Sequence, residues 1–278
     1  MDAPVITFTT VPPRISHLGE MLAAIGRQQL RPRAVELYLP LTWRRFPGQR
    51  PSLPPLPDWL TVVEVEKDLG PATKILPALT RHAGQEVDLL LCDDDMVHDP
   101  GWTSRLMALR RERPDNVVCE FGMDLEDLCQ TPGLQPEDRP YPRARLSRPS
   151  ALDLQASRRR MAKGGEGLPY LLSPGYIDVL FGFRGAMLRP GWIDPEAWKL
   201  PDIIWTVDDV WLSGMAALAG RRIWAGGSAC WMQGWASSAS IDPLVDHVEM
   251  RLDRAAANRL CADYLRARYG VWRQATPA

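Results

Sequence analysis

The chain carries two groups of adjacent carboxylates, each at the boundary of a predicted element. Asp93, Asp94 and Asp95, which we call the acidic triplet, directly follow an apolar run from Val87 to Cys92. Adjacent acids repel one another, so a folded chain that keeps them at a strand end commonly gives them a cation. Ligands also bind at the carboxyl ends of strands in open α/β sheets. The triplet is therefore either a solvated acidic turn or a metal or nucleotide site.

The second group, Asp208 and Asp209, begins a predicted helix. Apolar residues recur at positions 211, 212, 215, 218 and 219, and Gly220 follows as a stop signal. Acids in a first helical turn interact favourably with the helix dipole and can cap its free N–H groups. We expect one of the two aspartates to cap the helix, which leaves the other free for chemistry.

Strand and helix patterns alternate over the first 120 residues, and this order positions the acidic triplet. We predict strands at 5–10, 34–39, 60–65, 87–92 and 116–120. We predict helices from Ser16, as the N-cap, to about residue 30, at 75–82 and at 102–111. A proline-rich loop at 40–58 separates two of the strands, with Trp43 and Phe46 as its anchors. Such alternation predicts an α/β fold with a mainly parallel sheet and helices on both faces.

The second half begins with a change of composition. Residues 130–169 are rich in Pro, Gly, Ser and Arg, which is typical of either a mobile insertion or a lid over an anionic ligand. A strand at 176–181, a strand at 222–225 and an amphipathic helix from about Pro243 to Tyr269 are predicted after it. We predict one domain over 1–278, with a nucleotide-binding half (1–125), the insertion or lid (130–169) and an acceptor-side half ending in the C-terminal helix (170–278).

Composition narrows the class of protein. The net charge of −1 over 278 residues gives no electrostatic reason to expect a nucleic acid partner. The five cysteines are widely spaced and form no CxxC pair, which argues against a zinc site or a disulfide framework. No apolar run approaches the ~20 residues that span a bilayer, and the first residues lack the pattern of a signal peptide. We therefore expect no transmembrane segment and a reduced, cytoplasmic setting.

The order of the motifs resembles that of nucleotide-sugar glycosyltransferases of GT-A fold, especially the family 2-like bacterial enzymes. Residues 7–14 look like the first-strand loop that contacts the nucleobase, and residues 68–74 like the acidic, glycine-containing segment before the metal strand. Residues 91–102 match the DxD strand end. Residues 181–187 resemble the glycine-rich acceptor-side segment, and residues 207–212 resemble the segment that supplies the catalytic base.

The resemblance implies a GT-A (Rossmann-like) domain that moves a sugar from a nucleoside-diphosphate donor, UDP-type by preference, to a hydroxyl of a glycan or small-molecule acceptor. It implies Mn²⁺ or Mg²⁺ held by Asp95 and Asp93, with His247 as a third candidate ligand, and Asp209 or Asp208 as the general base of an inverting reaction. The residues expected to contact the nucleotide sugar are Thr9, Pro12, Arg14, Asp68, Gly70, Lys74, Asp93, Asp94, Gly182 and Gly185, with an arginine of the insertion as a further candidate.

Some features depart from this pattern and leave alternatives open. The QxxRW signature of processive synthases is absent, and the late segment from Trp231 to Trp235 lacks its arginine, which argues against a processive enzyme. His247 falls in the predicted C-terminal helix, where a surface or packing histidine is the competing interpretation. A nucleotidyltransferase of related fold and a non-catalytic carbohydrate-binding protein remain as alternative functions.

Overall fold

Strands and helices alternate along most of the chain in the computed structural model, which describes residues 2–130, 134–227, 230, 234–248 and 252–274. The strands are β1 (Val5–Thr9), β2 (Ala34–Pro40), β3 (Leu60–Val65), β4 (Leu89–Leu91), β5 (Val117–Cys119), β6 (Gly122–Met123), β7 (Arg145–Leu146), β8 (Leu171–Ser173), β9 (Gly175–Ile177), β10 (Val179–Leu180), β11 (Ala186–Leu188) and β12 (Ile223–Ala225). The α-helices are α1 (Gly19–Gly26), α2 (Leu76–Arg81), α3 (Trp102–Glu112), α4 (Leu125–Cys129), α5 (Ala151–Met161), α6 (Asp208–Leu218) and α7 (Arg254–Tyr269).

An eight-stranded sheet forms the centre of the protein, in the order β3-β2-β1-β4-β11-β5-β12-β9. All of its strands run in the same direction except β11 and β9, which pair antiparallel to their neighbours. The mainly parallel α/β prediction is therefore confirmed, and the layout is consistent with a GT-A (Rossmann-like) fold. Because β1 and β4 are adjacent and parallel, the residues that follow Thr9 and Leu91 meet at one edge of the sheet.

The antiparallel strand β11 brings a second segment to that same edge. Ala186 at its start pairs with Leu91 at the end of β4. The turn before β11, a 3-10 helix at Gly182–Arg184, therefore lies beside the acidic triplet. The glycine- and aromatic-containing run at 182–190 has a strand-like pattern, but the pattern does not indicate a direction, because strand periodicity is the same in both directions.

Two hydrophobic cores cover the two faces of the sheet, and the alternation along β4 shows why. Leu89 and Leu91 are fully buried in one core with side chains of α2, α4, α6 and α7. Leu90 points the other way and is buried with side chains of α1 and α3. Full burial of a leucine stabilises the fold by about 1.5–3 kcal/mol. The strand that ends in the acidic triplet is therefore anchored from both faces.

Two predicted helix starts were wrong, and local backbone chemistry explains both. Ser16 is not an N-cap, because Pro12–His17 forms a 3-10 helix that begins with two prolines and α1 starts after it, at Gly19. The last helix begins at Arg254 rather than near Pro243, because the Asp253 side chain accepts from the Ala256 N–H at 2.7 Å and caps it there. His247 consequently lies before this helix, just after a separate 3-10 turn at Leu244–Asp246.

The insertion at 130–169 contains ordered structure of its own in its described part. Helix α5 begins with a capping box in which Ser150 and Asp153 satisfy each other's backbone N–H groups. The arginines of the segment also have acidic partners outside it: Arg139 and Arg143 both pair with Asp124. These partners come from α4 and its flanks.

Across the described ranges, every helix is too short or too polar to traverse a lipid bilayer.

The turn before β11 yields a stability prediction. Gly185 has a φ of +92°, and a Cβ on this residue would lie 2.6 Å from the Trp102 ring. The ring is held in place by a hydrogen bond of 2.8 Å from its indole N–H to the Arg184 carbonyl. Gly191 has a φ of +82° but open space around it. We expect Gly185→Ala to lose about 1–3 kcal/mol more stability than Gly191→Ala, because only the first adds overpacking to backbone strain. Urea unfolding measures both variants, and equal losses would contradict the packing explanation.

Candidate active site

A cavity of about 690 Å³ lies at the carboxyl edge of β1 and β4. Its lining draws residues from both halves of the chain. The predicted site residues that line it are Thr9, Arg14, Asp68, Gly70, Lys74, Asp93, Asp94, Asp95, Asp208 and Asp209. The fold thus brings both acidic groups, separated by more than a hundred residues, to one cavity.

Lys74 joins the two acidic groups. It ends a 3-10 helix at Gly70–Lys74, and its side chain is 3% exposed. Its Nζ lies 2.5 Å from Asp93 Oδ1 and 2.9 Å from Asp208 Oδ2. Burial disfavours the charge of Lys74, but the negative charges of Asp208, Asp93 and Asp209 outweigh burial and raise its pKa well above the usual value. Lys74 is therefore a permanent cation between the end of β4 and the start of α6.

Arg14 compensates the other two acids of the triplet. Its Nη1 donates to Asp94 Oδ1 at 2.8 Å and to Asp95 Oδ2 at 3.0 Å. The Thr10 hydroxyl donates to the second oxygen of Asp94 at 2.5 Å. Asp95 Oδ1 is buried and has no hydrogen-bond partner among the described residues. Burial, together with repulsion from Asp93 and Asp94, raises the pKa of Asp95 to about 7.

Neither Asp208 nor Asp209 caps its helix, so that expectation was wrong. Val207 is the N-cap of α6, and the described chain offers no side-chain cap there. Asp208 is 2% exposed and pairs with Lys74 instead. Asp209 Oδ1 accepts the Gly182 N–H at 3.0 Å. Burial and the neighbouring charge of Asp208 raise the pKa of Asp209 to about 7.

Asp68 lines the cavity, where it also fixes the surrounding loops. Its two oxygens accept the backbone N–H groups of Gly70 at 2.8 Å and of Arg44 at 2.7 Å. Burial raises its pKa, although both hydrogen bonds favour the charged form. Gly70 has a φ of +61°, and a Cβ there would lie 2.8 Å from Trp205. Asp68 therefore holds the proline-rich loop against the segment that carries Lys74 through these two hydrogen bonds.

Four of the predicted residues do not line the cavity. They are Pro12, Gly182, Gly185 and His247. Gly182 still contacts the site, because a Cβ on it would lie 2.9 Å from Lys74 Nζ and 3.3 Å from Asp209 Oδ1. Gly185 packs on Trp102. No described residue of 134–169 lines the cavity either. Of the late segment that was compared with QxxRW, residues 231–233 lie outside the described residues, whereas Gly234 and Trp235 are described.

Several further cavity residues come from irregular segments and from a helix face. Trp205 stacks with the Arg44 guanidinium, whose carbon is 5.1 Å from the ring centroid. Phe183 and Trp235 stack with their planes 10° apart. Further lining residues without a sequence signal are Thr10, Arg45, Asp242, Arg254 and Asn258. Trp43 was identified as an anchor, and its indole N–H donates to the Thr10 carbonyl at 3.2 Å.

The donor set of the acidic triplet fits a divalent cation that is shared with a ligand. Within the described part of the chain, no three His, Cys, Asp or Glu side chains converge as a complete metal site. Mg²⁺ is commonly held by one or two carboxylates, with substrate phosphates and water completing its shell. Asp93, whose side chain is 35% exposed, and the unpartnered Oδ1 of Asp95 supply two such carboxylates.

Lys74→Met tests the central ion pairs. We expect a loss of about 3–5 kcal/mol, because the variant leaves the buried carboxylate of Asp208 without its cation. Asp208→Asn in the same chain should recover part of the loss. Lys199→Met, which breaks an exposed pair with Glu196, should cost less than about 1 kcal/mol. Denaturant unfolding measures all four chains, and similar losses for the two lysine variants would contradict the assignment.

Two solved structures of S. aureus TarS are similar to the chain. TarS 1-349 is 16% identical with a TM-score of 0.42, over 86% of this chain and 61% of that one. A second TarS structure is 15% identical with a TM-score of 0.42, over 86% of this chain and 37% of that one. Likeness at this level carries no argument about activity. No protein-family model matches the chain, and no curated protein matches it.

Proposed function

We propose that this protein is a metal-dependent glycosyltransferase that moves a sugar from a nucleoside-diphosphate donor to an acceptor hydroxyl with inversion. The observation that carries the proposal is that both acidic groups line one cavity. Asp93 and Asp95 lie at a strand end beside internal cations. Asp209 lies at the start of α6 with a raised pKa. Carboxylates that could hold a metal ion, beside another carboxylate that could act as a base, are the groups that metal-assisted transfer to a hydroxyl requires.

The donor side is the acidic triplet. Asp93 and Asp95 would hold Mg²⁺ or Mn²⁺, which when bound supplies Lewis-acid stabilisation of the charge on the leaving diphosphate. Thr9 and Arg14 line the same cavity as the triplet, and Arg14 contacts Asp94 and Asp95 directly. Trp43 and Phe46 of the proline-rich loop also line the cavity. This arrangement supports a nucleotide that lies between β1 and this loop, with its diphosphate directed toward the triplet.

Asp209 is the proposed general base. Its Oδ1 is held by the Gly182 N–H, which leaves the second oxygen available to take a proton from an acceptor hydroxyl. A pKa of about 7 matches the protonation state and basicity that proton transfer near neutral pH requires. The deprotonated hydroxyl then forms the new bond to the anomeric carbon, while the bond from that carbon to the diphosphate oxygen breaks. Attack from the side opposite the leaving group gives inversion.

An aromatic surface flanks the base and supports a carbohydrate or other ring-containing acceptor. Phe183 directly follows Gly182, and its ring stacks on Trp235 at 5.6 Å between centroids. Trp235 is 50% exposed. Aromatic rings offer large, partly apolar faces against which flat ligands pack. The acceptor would therefore lie between this pair and Asp209.

Donor turnover tests the proposed function. We expect the protein with Mn²⁺ to release nucleoside diphosphate from at least one member of a panel of UDP-, GDP- and dTDP-sugars, and to do so faster with an acceptor. Chromatography of the nucleotides measures the release. Release of pyrophosphate from a nucleoside triphosphate and a sugar phosphate would instead indicate the nucleotidyltransferase alternative. Absence of any metal-dependent response to nucleoside diphosphates in thermal shift would contradict the nucleotide assignment.

Asp209→Asn tests the base through activity and pH together. The raised pKa means that between about pH 4 and pH 7 the folded wild type keeps this proton while the unfolded chain releases it. Wild type therefore loses stability as pH rises from about 4 to 7, and the loss is complete above pH 7. We expect the variant to lose turnover and to retain nucleotide binding. In metal-free buffer, its stability relative to wild type should be higher at pH 8 than at pH 5.

The matched variant is Asp208→Asn, which loses the partner of Lys74 and should be less stable than wild type at both pH values. Wild-type kcat/KM should rise as pH increases through about 7. A pH-independent stability difference between Asp209→Asn and wild type would contradict the base assignment.

A further inference from the structure

The acidic triplet is already in contact with two cations of the protein itself. Lys74 contacts Asp93, and Arg14 contacts both Asp94 and Asp95. Lys74 is shared with Asp208, whereas the ion pairs of Arg14 in the described structure are all with the triplet. A divalent cation that enters this cluster meets the positive charge of both side chains at close range, and Coulomb repulsion falls off only slowly inside a protein.

Arg14 is held firmly in this position. Its residue is 7% exposed, and its Nε donates to the Ile241 carbonyl at 2.8 Å. The 3-10 helix at Pro12–His17 fixes its backbone, with the Arg14 N–H bonded to the Val11 carbonyl at 2.9 Å. Asp95 is held from its other side, since its carbonyl accepts the Ala236 N–H at 2.8 Å. Neither side chain is a mobile surface group that would move aside without cost.

The oxygens that remain for a metal ion are few. Both oxygens of Asp94 are engaged, one by Arg14 and one by Thr10. Asp95 gives one oxygen to Arg14, and only its Oδ1 lacks a partner among the described residues. Asp93 shares its Oδ1 with Lys74. The protein therefore offers an ion two partly used carboxylates, and the rest of its shell must come from water or from a phosphate ligand.

We propose, on the premise of the proposed function, that Arg14 is an internal counter-cation that prevents the triplet from holding a divalent cation until a diphosphate is present. The diphosphate supplies oxygen ligands and the negative charge that offsets Arg14 and Lys74. Metal and diphosphate then bind as one unit, each strengthening the other's binding by the same factor. Arg14 is a positioning residue in this account, since it acts through Asp94 and Asp95.

The experiment compares Mn²⁺ binding in wild type and Arg14→Met, by the loss of the free-ion signal in electron paramagnetic resonance. Without diphosphate, we expect Arg14→Met to bind Mn²⁺ at least tenfold more tightly than wild type. Arg14→Lys retains the charge and should behave as wild type. Arg189→Met is the matched control, because Arg189 pairs with Asp88 at the opposite end of the same strand, β4.

Thermal shift measures the coupling in wild type, with Mn²⁺, UDP and pyrophosphate as probes. We expect Mn²⁺ alone to leave the melting temperature unchanged, and Mn²⁺ with UDP to raise it by more than the sum of the separate shifts. An unchanged Mn²⁺ affinity in Arg14→Met would overturn the inference, and so would equal Mn²⁺ binding by wild type with and without UDP.

The outcomes separate this inference from the proposed function. A gain of Mn²⁺ binding in Arg14→Met, with UDP and pyrophosphate bound by no chain, would support the counter-cation and overturn the donor assignment. UDP binding without that gain would overturn the counter-cation alone. If Arg14→Met does not fold, Asp94→Asn provides a second test, in which Mn²⁺ binding is expected to weaken rather than strengthen. Asp95 is then the remaining carboxylate that pairs with Arg14. Mn²⁺ binding in the presence of UDP should therefore weaken at least tenfold. Unchanged binding there would overturn the inference.

Discussion

One buried ammonium group holds the candidate site together. Lys74 contacts Asp93 at the end of β4 and Asp208 at the start of α6, so it fixes the distance between the two acidic groups. A charge buried this deeply is tolerated only when it is paired. The surrounding structure keeps Lys74 in position, because Gly70 packs on Trp205 and Asp68 accepts a hydrogen bond from the proline-rich loop. The roles of the triplet and of Asp209 depend on this arrangement.

The parts of the fold that could be predicted are those set by local pattern. Leu89, Leu90 and Leu91 before three acids indicated a buried strand with a polar end, and β4 ends at Leu91. The alternation of strands and helices indicated a mainly parallel sheet, which the strand order confirms. The starts of α1 and α7 could not be predicted in the same way, because prolines and a capping aspartate shifted them within otherwise helical patterns.

The composition of the site could be predicted better than its contacts. Residue types and order indicated Arg14, Lys74 and both acidic groups, all of which line one cavity. The pairing of Arg14 with Asp94 and Asp95 depends on a side chain that reaches across two strand ends, and no spacing in the sequence encodes it. Trp205 and Arg254 come from segments that only tertiary packing brings to the cavity. The helix-capping expectation for Asp208 and Asp209 failed for the same reason, since Lys74 and Gly182 compete successfully for their oxygens.

The central claim is that one cavity holds a metal ion and a nucleoside diphosphate beside Asp209. A crystal structure of the protein soaked with UDP and Mn²⁺, with the anomalous signal of manganese recorded, tests it most directly. The account predicts a manganese peak within coordination distance of Asp93 and Asp95, with the diphosphate bound to the same ion. Nucleotide and manganese density elsewhere on the protein, with the cavity at the acidic triplet empty, would contradict it.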